Sequence, residues 1–366
     1  MKKALFFLCF VLILVGLVST ATAANMTFRY RDSAGNEVAI NSMADLNAQL
    51  GPDGVLDPNA YRTLKQYLTD VNQIKARIKH FYNDDITVTV ASDGSGSASG
   101  GQSVTINSDD WNRAVSTLAH ETGHSYMREN YGGYPPWNYG KDGNHYVNEI
   151  TTEQTAWLEG YAEWCGSHWG MGQERVECAG SGELEKIKRE GPNFIGADGN
   201  TYFNYLPTDW KDIGSADDMW RCEGINALIL KDFTHHVPNG TIKMQRLMKE
   251  GNDMTLKDFI KRWRDKYPED RERKARIIDI DTNFTMDPAD LKALTGADDY
   301  VDNQRAGDRA KYEDKDTCES LKDTFTNRPP GTGGGPGGGG PGTGLPAPGG
   351  GPGPGTGPTP DLDKFR

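Results

Sequence analysis

The sequence predicts an α+β fold in which an N-terminal helix and a β-hairpin precede a mostly helical C-terminal part. Three observations predict it. Leu64, Tyr67, Leu68, Val71, Ile74, Ile78 and Phe81 recur at spacings of three and four, the period of a helix with one buried face. Two short β-branched runs follow, Ile86 to Ala91 and Ser103 to Asn107, with the alternation of strands. Beyond them helical periodicity dominates as far as Leu294.

Residues 25 to about 56 are mixed and turn-rich, ending in Gly51-Pro52-Asp53-Gly54. Asp57-Pro58 supplies an N-cap and a proline at the first helical position, which opens a helix from Pro58 to about Tyr82. The Gly/Ser stretch from Ser92 to Gly101 separates the two strands and reads as the long loop of an antiparallel hairpin. A helix capped by Ser108 comes next, with Asp109 and Asp110 at the positive end of its dipole. Further helices are expected over Thr151 to Trp169, Asp217 to Phe233, Met244 to Tyr267 (one or two) and Pro288 to Leu294.

The 366 residues carry 40 basic and 52 acidic side chains, a formal charge of -12. Such a surface repels phosphate backbones and excludes nucleic acid as a partner. Met1-Lys2-Lys3, an apolar run from Ala4 to Val18 and the small-residue Ala21-Thr22-Ala23 form a secretory signal peptide over residues 1 to 23. The apolar run is shorter than the roughly 20 residues a membrane span requires. The mature chain is therefore expected outside the cell or in a periplasm, without stable membrane association. Cys9, in the middle of that run, argues against a lipoprotein signal. Removal of the signal leaves Cys165, Cys178, Cys222 and Cys318, an even number in an oxidising compartment. One or two disulfides are expected, with a local Cys165–Cys178 bridge as the simplest pairing. Beyond Arg328 the chain is almost wholly Gly, Pro and Thr up to Pro360, a composition that cannot bury enough apolar area to fold. Residues 24 to 328 are thus the folded domain and 329 to 366 a disordered tail.

His120-Glu121-Thr122-Gly123-His124 is an H-E-x-x-H motif in a helical context. Residues four apart on a helix share a face, so both imidazoles reach one metal ion, with Glu121 beside them to serve as general base toward a metal-activated water. A catalytic zinc needs a third protein ligand and an open fourth position. A downstream histidine at the spacing used by metzincins is absent, since positions 127 and 130 hold Met127 and Asn130. The remaining candidates are Glu149, Glu153 and, best placed, Glu159.

Ala156-Trp157-Leu158-Glu159-Gly160-Tyr161-Ala162-Glu163 resembles the second zinc helix of the gluzincins. The order of Tyr134-Pro135-Pro136, His145 and that segment is similar to secreted gluzincin-like proteins, a likeness running from about 115 to 265. The resemblance implies a zincin-like catalytic domain, a zinc ion held by His120, His124 and Glu159, hydrolysis of a protein or peptide substrate, and Glu163 as hydrogen-bond acceptor for a zinc-binding imidazole.

His145, Tyr146, Tyr161, His235 and His236 are candidate oxyanion donors; for His145 the alternative is a loop histidine that anchors the Pro-rich segment, and His235-His236 reads first as a helix C-terminus. Trp157, Tyr161, Trp164 and Trp169 read as core. Asp279, Asp281, Asn283, Asp287 and Asp290 fall at oxygen-ligand positions of a calcium loop, although Phe284 stands where such loops place Gly. The competing expectation, which the residues favour, is that Asp287-Pro288 caps the short helix. Two other functions fit the motif: a secreted zincin-fold binding module without catalysis, and a zinc hydrolase of a non-peptide amide such as a cell-wall bond. Glu121 speaks against the first, because a structural site needs no base.

Overall fold

The computed structural model describes residues 25–49, 56–79, 82, 84–131, 150–171, 193–195, 201–203, 216–282 and 284–314. Residues 1–24, the Gly/Pro-rich stretch, Tyr134 to Pro136, His145, Tyr146, Glu149, Cys178 and Cys318 lie outside them.

Strand β1 (Met26–Arg31) buries alternate residues, Met26, Phe28 and Tyr30, as a one-sided strand does. It pairs antiparallel with β2 (Glu37–Ala39). A short helix α1 (Met43–Ala48) follows, capped by Ser42, whose hydroxyl accepts from the Asp45 amide at 3.1 Å. The segment expected to be turn-rich therefore supplies two strands and a helix. Helix α2 (Pro58–Ile78) begins where the Asp57-Pro58 signal places it. The Asp57 carboxylate accepts from the amides of Asn59 (2.6 Å) and Ala60 (3.3 Å), satisfying donors that no helical carbonyl reaches. It ends four residues earlier than the periodicity suggested.

Strands β3 (Ile86–Ala91) and β5 (Ser103–Asn107) form as expected but not as a hairpin. They run parallel, with Val88 beside Val104. β1 lies parallel to β3 on its other side. The Gly/Ser connection carries a two-residue strand β4 (Ala98–Ser99) that pairs antiparallel with the far edge of β5, so the sheet order is β2-β1-β3-β5-β4. Alternation marks a strand's faces but not the direction of its neighbour, and a connection of this length has room to cross. Central β3 is buried on both faces, with Ile86, Val88, Val90, Thr89 and Ala91 all buried, as expected for a strand covered on two sides. α2 supplies part of the cover, stacking Tyr67 on Phe28 at 5.5 Å.

Asn107, not Ser108, caps the next element, accepting from the Asp109 amide at 3.0 Å. A 3-10 turn over Ser108–Arg113 intervenes before helix α3 (Ala114–Asn130). From Ala114 to Met127 every residue of α3 except His120 is buried, so this is a core helix rather than an amphipathic one. Helix α4 (Glu153–Trp169), capped by Thr152, packs against it and is almost as thoroughly buried. A small antiparallel pair, β6 (Asn193–Ile195) and β7 (Thr201–Phe203), was not legible in the sequence.

The expected helix over 217–233 is two, α5 (Ala216–Trp220) and α6 (Glu223–His236). Asn226 holds the turn between them, its side-chain amide donating to the carbonyls of Trp220 and Cys222. Helices α7 (Gly240–Glu250), α8 (Leu256–Lys266), α9 (Arg271–Asp281), α10 (Pro288–Thr295) and α11 (Arg305–Asp314) complete the C-terminal half. Phe233, Phe259 and Trp263 form its centre, each fully buried, and each such side chain contributes ~1.5–3 kcal/mol of hydrophobic stabilisation. The described residues make an α+β molecule, mostly helical, with a five-stranded sheet and a separate two-stranded pair. Among the described residues no helix is long and apolar enough to cross a membrane.

The calcium-loop expectation fails. Asp279 and Asp281 sit in the last turn of α9, Asp279 is engaged by Arg305 at 2.6 and 3.0 Å, and Asp287 caps α10 by accepting from the Ala289 amide at 2.8 Å. Cys178, the expected partner of Cys165, lies outside the described residues. Cys165 is a buried free thiol facing α3, and Cys222 is likewise buried.

Candidate metal centre

α3 brings His120 and His124 to one face, and α4 carries Glu159 up to them. The two Nε2 atoms are 3.1 Å apart. Glu159 Oε2 lies 3.0 Å from His124 Nε2 and 3.5 Å from His120 Nε2. Three donors, two of them nitrogen and one a carboxylate oxygen, thus converge within 4.8 Å of one another.

Two glycines make this approach possible. A Cβ on Gly123 would stand 2.9 Å from Cys165 Sγ and 3.3 Å from Ala162 Cα on α4. Gly123 therefore weakens α3 locally, by ~1 kcal/mol relative to Ala, in exchange for close contact between the two helices. Gly160, next to Glu159, performs the same service on the other side of α4, where a Cβ would meet Asn226 Cβ at 2.5 Å and the Glu223 carbonyl at 2.8 Å. The glycine roles were not legible beforehand, because the contact partners are remote in sequence.

The electrostatics of the cluster are those of a site short of positive charge. Burial alone would lower the His120 pKa, but Glu163, Glu159 and Glu121 outweigh it and push it up to about 10. Burial would raise Glu159, yet the two imidazoles hold its carboxyl well below the ordinary range. Glu121 is buried, and loss of solvent raises its carboxyl above its ordinary value against the opposing pull of His120 and His124. Glu163, one turn beyond Glu159, places Oε1 3.4 Å from His120 Nδ1. Two histidines thus face three carboxylates in a mostly buried space, and a cation is the natural complement.

Of the other candidates, Glu153 is at the first turn of α4 and pairs with Lys257 at 2.8 Å, so it is not a third ligand. Tyr161 points into the core, stacked on Tyr126 with Trp157 and Trp164 at its sides; it is not an oxyanion donor. His235 meets His168 at the far end of α4, nine residues past Glu159 and so roughly 13 Å along the helix. His236 follows it, 3.9 Å from Asp232. The helix C-terminus reading holds for both. Trp157, Trp164 and Trp169 are core residues, as expected.

The family model of the mycolysin C-terminal domain matches residues 82–279. The chain belongs to the mycolysin C-terminal domain family. The family span begins just ahead of β3 and ends in α9, so it includes β3 to β5, both helices that carry His120, His124 and Glu159, and the α6 packing against Gly160. The strands and helices before residue 82 and the helices after 279 lie outside it. No curated protein and no solved structure matches the chain.

Proposed function

We propose that the chain is a secreted, zinc-dependent metallopeptidase in which His120, His124 and Glu159 hold the metal and Glu121 is the general base. The observation that carries this reading is the spacing of the three donor atoms. Ligands ~2.0–2.1 Å from one zinc ion at tetrahedral angles stand ~3.3 Å apart, and the three separations here are 3.0, 3.1 and 3.5 Å. Mycolysin-type domains occur in metallopeptidases, which supports the same activity, and the signal segment supports export.

Zinc bound there would supply a Lewis acid for the scissile carbonyl and lower the pKa of a coordinated water. Glu121 accepts the proton of the attacking water on its carboxylate and returns it to the departing amine nitrogen. Burial shifts its carboxyl upward, the direction that makes a carboxylate a stronger base. Glu163 accepts from Nδ1 of His120, fixing the tautomer that leaves Nε2 free for the metal and making the imidazole a better ligand. The domain so read spans 24–328, after a cleaved signal peptide over residues 1–23.

Metal analysis of the purified mature protein tests the ligand set. One zinc per chain is expected in the wild type, and Glu159→Ala should lose most of it. Unchanged affinity in Glu159→Ala would move the third ligand elsewhere.

A further inference from the structure

The segment from Asp279 to Asp287 has the residue spacing of a cation loop, and the protein fills it with one of its own side chains. Phe284 occupies the position where such loops need a left-handed residue, and it adopts that conformation, with φ of 56°. A non-glycine residue is held there only when its surroundings compensate the strain.

The compensation comes from Arg305, the first residue of α11. Its Nε donates to Asp279 Oδ2 at 2.6 Å, and Nη2 donates to Asp279 Oδ1 at 3.0 Å. The same Nη2 reaches the carbonyl oxygens of Met286 at 2.6 Å and Phe284 at 3.4 Å. Tyr300 adds a hydroxyl donor to Asp279 Oδ2 at 3.1 Å. Asp279 is wholly buried and Arg305 nearly so, which separates this arrangement from the exposed pairs that contribute little. A second pair of opposite sense joins the same two helices, Arg276 of α9 donating through Nη2 to Asp308 of α11 at 3.0 Å.

We infer that Arg305 is the built-in cation of this loop. It neutralises the buried Asp279 carboxylate and gathers the carbonyl oxygens of Phe284 and Met286 at the left-handed turn, the work a divalent ion does in a metal loop. The planar guanidinium suits it, because its fork meets both carboxylate oxygens and still has donors to spare. The turn between α9 and α10 is therefore stabilised by the C-terminal helix and not by the calcium concentration. This conclusion is independent of the zinc reading.

Thermal unfolding of the zinc-loaded, full-length mature chain tests it, with and without millimolar calcium chloride and with zinc constant throughout. The wild-type Tm is expected to be unchanged by calcium, and Arg305→Ala to lower it by ~10 °C, since removing one partner strands a buried charge. Arg305→Lys, which keeps the charge but not the fork, should fall between them. A calcium-induced rise of more than about 3 °C in the wild type would show a cation site that Arg305 does not fill and would overturn the inference. So would an Arg305→Ala Tm within about 2 °C of wild type. Should Arg305→Ala fail to fold, Arg305→Lys and the wild-type calcium titration still decide between the two outcomes.

Discussion

The His120 ring is bracketed by two carboxylates from one helix, Glu159 Oε2 at 3.5 Å from Nε2 and Glu163 Oε1 at 3.4 Å from Nδ1. The spacing of four residues on α4 makes this possible, because it returns the chain to the same helical face. Glu163→Gln retains an acceptor oxygen but loses the charge. It is expected to weaken zinc binding by ~10–100-fold while leaving the fold intact. A competition titration against a chelator, with circular dichroism as the control for folding, measures both. Equal affinity in the two proteins would remove Glu163 from the positioning of His120.

Gly123 is held to glycine by Cys165, not by its own backbone conformation, which is helical. Gly123→Ala should therefore destabilise the domain by ~1–3 kcal/mol through overpacking, even though alanine is the better helix former. Adding Cys165→Ala, which removes the sulfur 2.9 Å from the new methyl group, should recover part of the loss. Urea denaturation of the four proteins in the cycle reads the coupling, expected at ~1 kcal/mol or more. Strictly additive effects would mean that the two helices do not press on each other at this point.

Lys274 gives the stability a distinct pH dependence. Its ammonium is fully buried on the face of Trp263, 5.6 Å from the ring centre. Burial pushes its pKa down to about 7 from an ordinary 10.5, against the attraction of Asp270. Below about 7 both folded and unfolded chains carry the charge, and the folded state bears the full cost of burying it. Between 7 and 10.5 only the unfolded chain holds the proton, so this group makes stability rise with pH across that window. Lys274→Met should be more stable than wild type at neutral and acid pH, with the difference shrinking as the pH approaches 10.5. A difference that stays constant across the range would contradict the assignment.

What could be read from the sequence followed the range of the forces involved. The cluster of His120, His124 and Glu159 was legible because H-E-x-x-H is a statement about one helical face and Glu159 lies on the next predicted helix. The Asp57 and Asp287 caps were equally local. The sheet was not, because the alternation in β3 and β5 says which side chains are buried and nothing of a parallel neighbour. The Asp279 loop misled for a related reason. Its acidic residues were correctly spaced, but the cation that meets Asp279 stands 26 residues further on, in Arg305, and Asp287 caps α10 instead. Gly123 looked like a weakness in a helix until Cys165 was placed against it.

Hydrolysis of an unfolded protein substrate by the zinc-loaded wild type and by Glu121→Gln tests the central claim most directly. The wild type is expected to cleave and to stop when a chelator is added. Glu121→Gln should hold zinc at the same stoichiometry and turn over substrate at least ~100-fold more slowly, as expected for loss of a general base. A fully loaded wild type that cleaves nothing, or a Glu121→Gln protein that cleaves at the wild-type rate, would contradict it.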